Sequence, residues 1–163
     1  MKPDAHPGDA TPLRWPALVA SLAIAFAPAL LGAAFPPDAW YAALAKPWWT
    51  PPGAVFGPVW FALYAAMGVA AWLVWRRRGW SGPLAAYGVQ LALNAAWTPL
   101  FFGAQALAAS FALILALWAA IAVTAVAFWR VRALAGALLL PYLAWVSYAA
   151  ALNGAIWRLN AGG

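Results

Sequence analysis

The chain has 163 residues, of which 67% are hydrophobic and only 7% charged. A soluble domain of this length needs about a quarter charged residues to cover its surface, so lipid must cover this one. The formal charge of +6 sits in clusters between apolar runs. That excludes a soluble basic face for nucleic acid and points to lipid headgroups instead. With no cysteine there are no disulfides and no thiolate metal sites.

Residues 1–14 are polar, with Pro, Gly and Asp, the composition of a flexible tail. His6 lies there without a neighbouring ligand and reads as solvent-exposed and inert. Five apolar runs follow, at about 15–34, 54–75, 83–102, 106–129 and 134–157. Each is near the ~20 residues a helix needs to cross the hydrocarbon. The expected fold is an all-α integral membrane protein, a five-transmembrane-helix bundle forming one domain over 15–160. Lys2 and Arg14 before the first run resemble a signal peptide. The length of that run, its Pro28 and the four runs after it favour a retained span.

The loop over 35–53 holds Trp40, Tyr41 and the stretch Lys46-Pro47-Trp48-Trp49-Thr50-Pro51-Pro52-Gly53. Pro fixes φ and disfavours helix in the residue before it. A tryptophan pair framed by prolines therefore predicts a rigid lid or collar rather than a linker.

Charge sorts the loops. The tail has Lys2 and Arg14, the second loop Arg76-Arg77-Arg78, and the fourth Arg130 and Arg132. The first loop sets Lys46 against Asp38, the third is uncharged, and Arg158 lies near the C-terminus. The positive-inside rule puts the N-terminus in the cytoplasm, and five spans then put the lid and the C-terminus outside. Trp15, Trp72, Trp75, Trp80, Trp129 and Trp157 fall at span ends, where indoles prefer the interface.

The third span has two faces at about 100° per residue. Ala85, Gly88, Ala92, Ala95, Ala96, Pro99 and Gly103 share one side. Small residues let another backbone approach closely, so this side predicts a helix–helix contact, either a homodimer seam or packing within the chain. Tyr87, Gln90, Asn94, Trp97, Thr98 and Phe101 share the other. Unsatisfied amides are costly in hydrocarbon, so this face should point into the bundle. Gln90 and Asn94 then serve either as interhelical hydrogen-bond glue or as a binding site flanked by aromatics.

Depth places neighbours for them. At ~1.5 Å per residue, Trp60, Asn94 and Trp145 lie ~8, ~12 and ~18 Å below the outer ends of their spans. All three sit under the Trp-rich loop. Indole walls with a few amide and indole N–H donors suit a flat, largely apolar ligand with a carbonyl or carboxylate. Pro28, Pro58, Pro99 and Pro141 are expected to kink helices and widen the bundle. Trp118 in the fourth span is expected to be ordinary packing.

No Gly-rich phosphate loop, H-E-x-x-H motif, Ser-His-Asp set or His/Asp/Glu cluster occurs, and no span carries Asp, Glu, His, Lys or Arg. That argues against ion-coupled transport and against general acid–base hydrolysis.

Four separated motifs, in order, resemble the TspO/MBR family, the tryptophan-rich sensory proteins of bacteria and the mitochondrial translocator protein. The first is Trp40-Tyr41 with Lys46-Pro47-Trp48-Trp49-Thr50-Pro51-Pro52, and the second is Trp60 with Tyr64. The third is Gln90-Leu91-Ala92-Leu93-Asn94-Ala95-Ala96-Trp97-Thr98-Pro99-Leu100-Phe101-Phe102-Gly103. The fourth is Pro141-Tyr142-Leu143-Ala144-Trp145 with Leu152-Asn153 and Trp157-Arg158-Leu159-Asn160. The likeness runs over 35–160, and the first span matches poorly.

The resemblance implies a five-helix bundle in a bacterial cell membrane, usually homodimeric, without metal or resident cofactor. The implied dimer residues are Ala85, Gly88, Ala92 and Ala96 of the small-residue face. Implied ligands are porphyrins such as protoporphyrin IX, sterols, and synthetic benzodiazepine-type and isoquinoline carboxamide compounds. By position the contacting residues would be Tyr41, Pro51, Trp60, Asn94, Trp97, Thr98, Trp145, Ala149 and Leu152. Trp60 and Trp145 match the tryptophans implicated in light-dependent porphyrin breakdown in the family. Ala149 matches a position where a small-to-Thr change alters ligand binding. One departure stands out: Gly154 replaces the tyrosine of a weak sterol-associated pattern at the end of the fifth helix. Three functions follow as expectations: a tetrapyrrole-binding receptor or sensor, Trp-dependent photo-oxidation of porphyrin at Trp60 and Trp145, and a carrier of apolar molecules including sterols.

Overall fold

The computed structural model describes residues 15–161. The tail, with Lys2, His6 and Arg14, lies outside the described residues. These residues form α1 (Trp15–Ala33), α2 (Ala39–Ala43), α3 (Phe56–Arg78), α4 (Gly82–Thr98), α5 (Leu107–Val131), α6 (Ala133–Ala137) and α7 (Leu140–Asn160), with no strand among them. Four stretches are long and apolar enough to cross a membrane: α1, Gly53–Arg78, α5 and Ala133–Asn160. The expected third span is shorter. α4 has 17 residues and passes at Pro99 into a π turn, Pro99–Gly103. Ala104 N–H reaches back to Pro99 O at 2.8 Å, a wider loop than the α-helical one.

The prolines act differently from expectation. Only Pro28 lies inside a helix. Pro58 and Pro141 sit in the first turns of α3 and α7, where the N–H has no intrahelical partner to lose. The Arg76–Arg77–Arg78 run is also not in a loop. It forms the last turn of α3, where cations face the carbonyl end of the helix. Gly79 then takes φ +60°, a conformation that favours glycine, and returns its N–H to Trp75 O at 2.8 Å.

The core runs along α3, α4, α5 and α7, through Met67, Val74, Leu91, Ile121, Phe128, Tyr142 and Val146. α1 covers one side and buries only Ala25 and Pro28. It approaches α3 at Gly68, where an added Cβ would lie 2.8 Å from Leu22 Cδ2 and 3.0 Å from Leu22 Cα. Ser21 Oγ donates to Gly68 O at 2.8 Å in the same contact. Trp72 departs from its expected interfacial place: it is 8% exposed, packed in the core under Arg76.

The two faces of α4 separate as the periodicity required. Tyr87, Gln90 and Asn94 are buried. Ala85, Gly88, Ala92 and Ala96 are exposed, and nothing lies within 4 Å of a Cβ built on Gly88. Those four therefore do not pack within the chain. Gly103, at the end of the small side, is approached by Phe35 at the start of the lid, 2.8 Å from where a Cβ would stand.

Charge marks the two ends. Arg77 Nη1 donates to Val131 O at 3.1 Å, which joins the ends of α3 and α5 with Arg76, Arg78, Arg130 and Arg132 around them. At the opposite end the lid meets the last turn of α7, where Asn160 bonds Ala45.

Candidate functional site

A cavity of about 640 Å³ opens beneath the lid. Its walls follow helical spacing. α3 presents Phe56, Trp60 and Tyr64 at i, i+4 and i+8, and α7 presents Trp145, Val146, Ala149, Leu152, Asn153 and Ile156 along one stripe. α4 and its π turn add Asn94, Trp97, Thr98 and Phe101, α5 adds Ile114 and Leu117, and the lid adds Tyr41, Lys46, Thr50 and Pro51. The structure thus gathers Tyr41, Pro51, Trp60, Asn94, Trp97, Thr98, Trp145, Ala149 and Leu152, every ligand-contacting position expected from sequence, around one space.

Trp60 stacks on Tyr64 with centroids 5.3 Å apart and meets the Tyr142 ring edge-on at 6.1 Å. Phe56 packs edge-on against Trp145 at 5.7 Å, which brings α3 and α7 together through their rings. On the far wall Trp97 stacks on Phe101 at 4.9 Å, and Tyr41 closes over Phe101 and Phe102. Such offset and edge-on pairs fix ring positions more firmly than aliphatic packing does.

The Asn94 amide is engaged at both of its atoms. Tyr64 O–H donates to Asn94 Oδ1 at 2.9 Å, and Asn94 Nδ2 donates to Tyr142 Oη at 2.9 Å. Asn94 thus acts as interhelical glue while also lining the cavity, and it locks the two tyrosines that hold Trp60. Gln90 is also internal: its Nε2 lies 3.8 Å from Met67 Sδ, and it lines the core rather than the cavity. Trp97 Nε1 is engaged too, donating to Asn153 Oδ1 at 3.2 Å. Trp145 Nε1 is enclosed with no acceptor among the described residues. Trp118 Nε1 donates to Ser147 Oγ at 2.7 Å, consistent with a packing role.

The lid is held at several points. Ala45 N–H donates to Asn160 Oδ1 at 3.1 Å and Asn160 Nδ2 returns to Ala45 O at 3.0 Å. Tyr148 O–H donates to Trp49 O at 2.8 Å beneath edge-on ring contact at 5.6 Å. Thr50 Oγ1 donates to Pro47 O at 2.7 Å and tightens the turn between the prolines. Trp48, by contrast, is 95% exposed and turns away from the cavity. Burial pushes the Tyr41 phenol above its ordinary pKa.

Several lining residues were not singled out by sequence. Ala29, Gly32 and Ala33 of α1, beside Pro28, form a small-residue edge, with a Cβ on Gly32 3.6 Å from Thr98 Oγ1. Their spacing of i, i+1, i+4 and i+5 was a visible signal in the span that resembled the family least. Lys46 is the only charged side chain in the lining among the described residues. Among the described residues no group of His, Cys, Asp or Glu is assembled to hold a metal.

Gly154 packs against α5. A Cβ there would lie 2.8 Å from Phe111 Cε2, so Phe111 fills the space a side chain would need.

Comparison with known proteins shows the family. A sequence profile of the TspO/MBR family matches residues 9–158. The chain is 42% identical over 146 residues to the tryptophan-rich sensory protein of Cereibacter sphaeroides, covering 90% of this chain and 92% of that one. It is 47% identical over 128 residues to the human translocator protein, covering 76% of each. It is 42% identical over 141 residues to Protein CrtK of Rhodobacter capsulatus, covering 80% of this chain and 84% of that one. A family profile over most of the chain, together with long apolar helices, identifies it as an integral membrane protein that belongs to the TspO/MBR family.

Proposed function

We propose that this protein is a membrane receptor or sensor that binds porphyrins, such as protoporphyrin IX, and related flat apolar ligands beneath its lid, and so modulates tetrapyrrole level or transport. The observation that carries this is the aromatic-walled space of about 640 Å³ under the clipped lid. Its volume falls within the roughly 300–1,000 Å³ of small-molecule sites, and its few polar groups are the kind that orient a ligand. The sensory and translocator names of the relatives point the same way. The test is tryptophan-fluorescence quenching with protoporphyrin IX in detergent. Trp60→Ala should weaken binding by about 1–3 kcal/mol, the scale of lost packing and a lost polar contact. Unchanged affinity would remove the site.

The proposal includes topology. α4 with its π turn acts as the third of five crossings, residues 15–160 form one membrane domain, and 35–53 form the lid. Five arginines around one end of the bundle favour that end as cytoplasmic. The lid and C-terminus then lie outside. The uncovered Ala85, Gly88, Ala92 and Ala96 form the seam of a homodimer in this reading.

A second function rests on Trp60 and Trp145 in the cavity wall: light-driven oxidation of bound porphyrin, with molecular oxygen as the oxidant and these indoles taking part in the radical chemistry. Stacking of Trp60 on Tyr64 at 5.3 Å favours it, because adjacent phenol and indole rings share an oxidised hole. Illumination of the protein with protoporphyrin IX in air separates receptor from enzyme. Equal product from a Trp60→Phe, Trp145→Phe double variant would remove the enzymatic reading. Porphyrin or sterol flux into proteoliposomes, compared with empty vesicles, tests a carrier.

A further inference from the structure

Lys46 is unusual in this cavity. Every other lining side chain is uncharged, and most are aromatic or aliphatic. The ammonium is fixed in place. Nζ donates to Ala42 O at 3.1 Å and to Leu44 O at 3.0 Å, and lies 4.7 Å from the centre of the Tyr41 ring. Two of its three N–H donors are thus used on neutral carbonyls, which hold the cation without neutralising it.

No carboxylate answers it. Asp38 is the one acid among the described residues, and its side chain caps α2 by accepting from Tyr41 N–H at 3.0 Å. Tyr41 supplies no negative charge either, because burial keeps its phenol protonated above the ordinary range. This half-buried cation beside apolar walls has no counter-ion among the described residues. An anion entering there gains a charge-assisted hydrogen bond in a medium of low dielectric.

We propose that Lys46 is a specificity-determining residue that selects ligands bearing a carboxylate on an otherwise flat, apolar body. The acid sits at the lid beside Lys46 and Tyr41, and the body extends toward Trp60 and Trp145. This rests on the reading of the cavity as a porphyrin-type site. It goes beyond that reading by dividing such ligands into acids, which are favoured, and neutral analogues, which are not. It also fixes which end of the ligand faces the lid.

The experiment titrates purified protein with protoporphyrin IX and with its dimethyl ester, and reads the ratio of the two dissociation constants. The native chain should bind the acid about tenfold tighter than the ester, the effect of one charge-assisted bond. The ratio should fall toward unity in Lys46→Gln, remain in Lys46→Arg, and shrink with added salt in the native protein. An equal affinity for acid and ester in the native chain would overturn the selection while leaving the porphyrin site standing. So would a preference that survives Lys46→Gln. Loss of ester binding together with acid binding in Lys46→Gln marks a structural role and also overturns it. Failure of the native chain to bind either compound removes the porphyrin site itself.

Discussion

Asn160, in the last turn of α7, holds Ala45 of the lid by both of its amide atoms. Ala45 N–H donates to Oδ1 at 3.1 Å and Nδ2 donates to Ala45 O at 3.0 Å. Nδ2 also bonds Ile156 O at 2.7 Å, so the amide is oriented by its own helix. The mouth of the cavity is thereby tied to an element 115 residues away in the chain.

This clip should set the rate at which ligands pass the lid. Asn160→Ala removes both bonds at an exposed site, a loss of about 1 kcal/mol, so lid opening becomes ~5-fold more frequent. Stopped-flow quenching should show association and dissociation rates rising together, with affinity changed less. Unaltered rates would mean that ligands enter elsewhere.

The Tyr64–Asn94–Tyr142 set should behave as one unit. Asn94→Leu leaves two phenols unpaired in the core and should lower stability by about 2–4 kcal/mol. Tyr64→Phe removes one donor and leaves only Asn94 Oδ1 without it, and should cost less, about 1 kcal/mol. Thermal unfolding in detergent would report both. Comparable losses from the two variants would show that the set is not coupled.

Glycines on the two sides of the bundle should respond oppositely. At Gly68 a methyl group meets the backbone of Leu22, so Gly68→Ala should cost about 1–3 kcal/mol as α1 is pushed from α3. At Gly88 a methyl meets nothing, so Gly88→Leu should leave thermal stability near the native value. If α4 forms the dimer seam, Gly88→Leu should nevertheless shift the oligomer toward monomer in light scattering. A dimer that survives Gly88→Leu with Ala92→Leu would place the seam elsewhere.

Restoring a tyrosine at position 154 should not create a sterol site. Phe111 Cε2 lies 2.8 Å from the Cβ position, so Gly154→Tyr must displace Phe111 and the Trp157 ring beside it. A loss of about 1–3 kcal/mol in stability is expected, with no gain in sterol binding. A tighter sterol complex in a stable variant would contradict this account.

Much of the chain could be read in one dimension. Apolar run length located the long helices to within a few residues, because a bilayer demands a fixed span. The 3.6-residue period separated Asn94 and Gln90 from Ala85 and Gly88 before any partner was known. Motif order brought Tyr41, Trp60, Asn94, Trp145 and Ala149 to one site. Other features depend on contacts between segments distant in sequence. Periodicity says that Asn94 faces inward, but only the fold shows that two tyrosines, from α3 and α7, bond its amide and make it a brace in the cavity wall. Composition counts Lys46 as one loop charge, but the fold of the lid sets it over Tyr41 at a cavity without a counter-ion. Helix formation and membrane insertion depend on neighbours within a turn or two. The partner of a buried polar atom depends on how helices approach, and that is a property of the whole bundle.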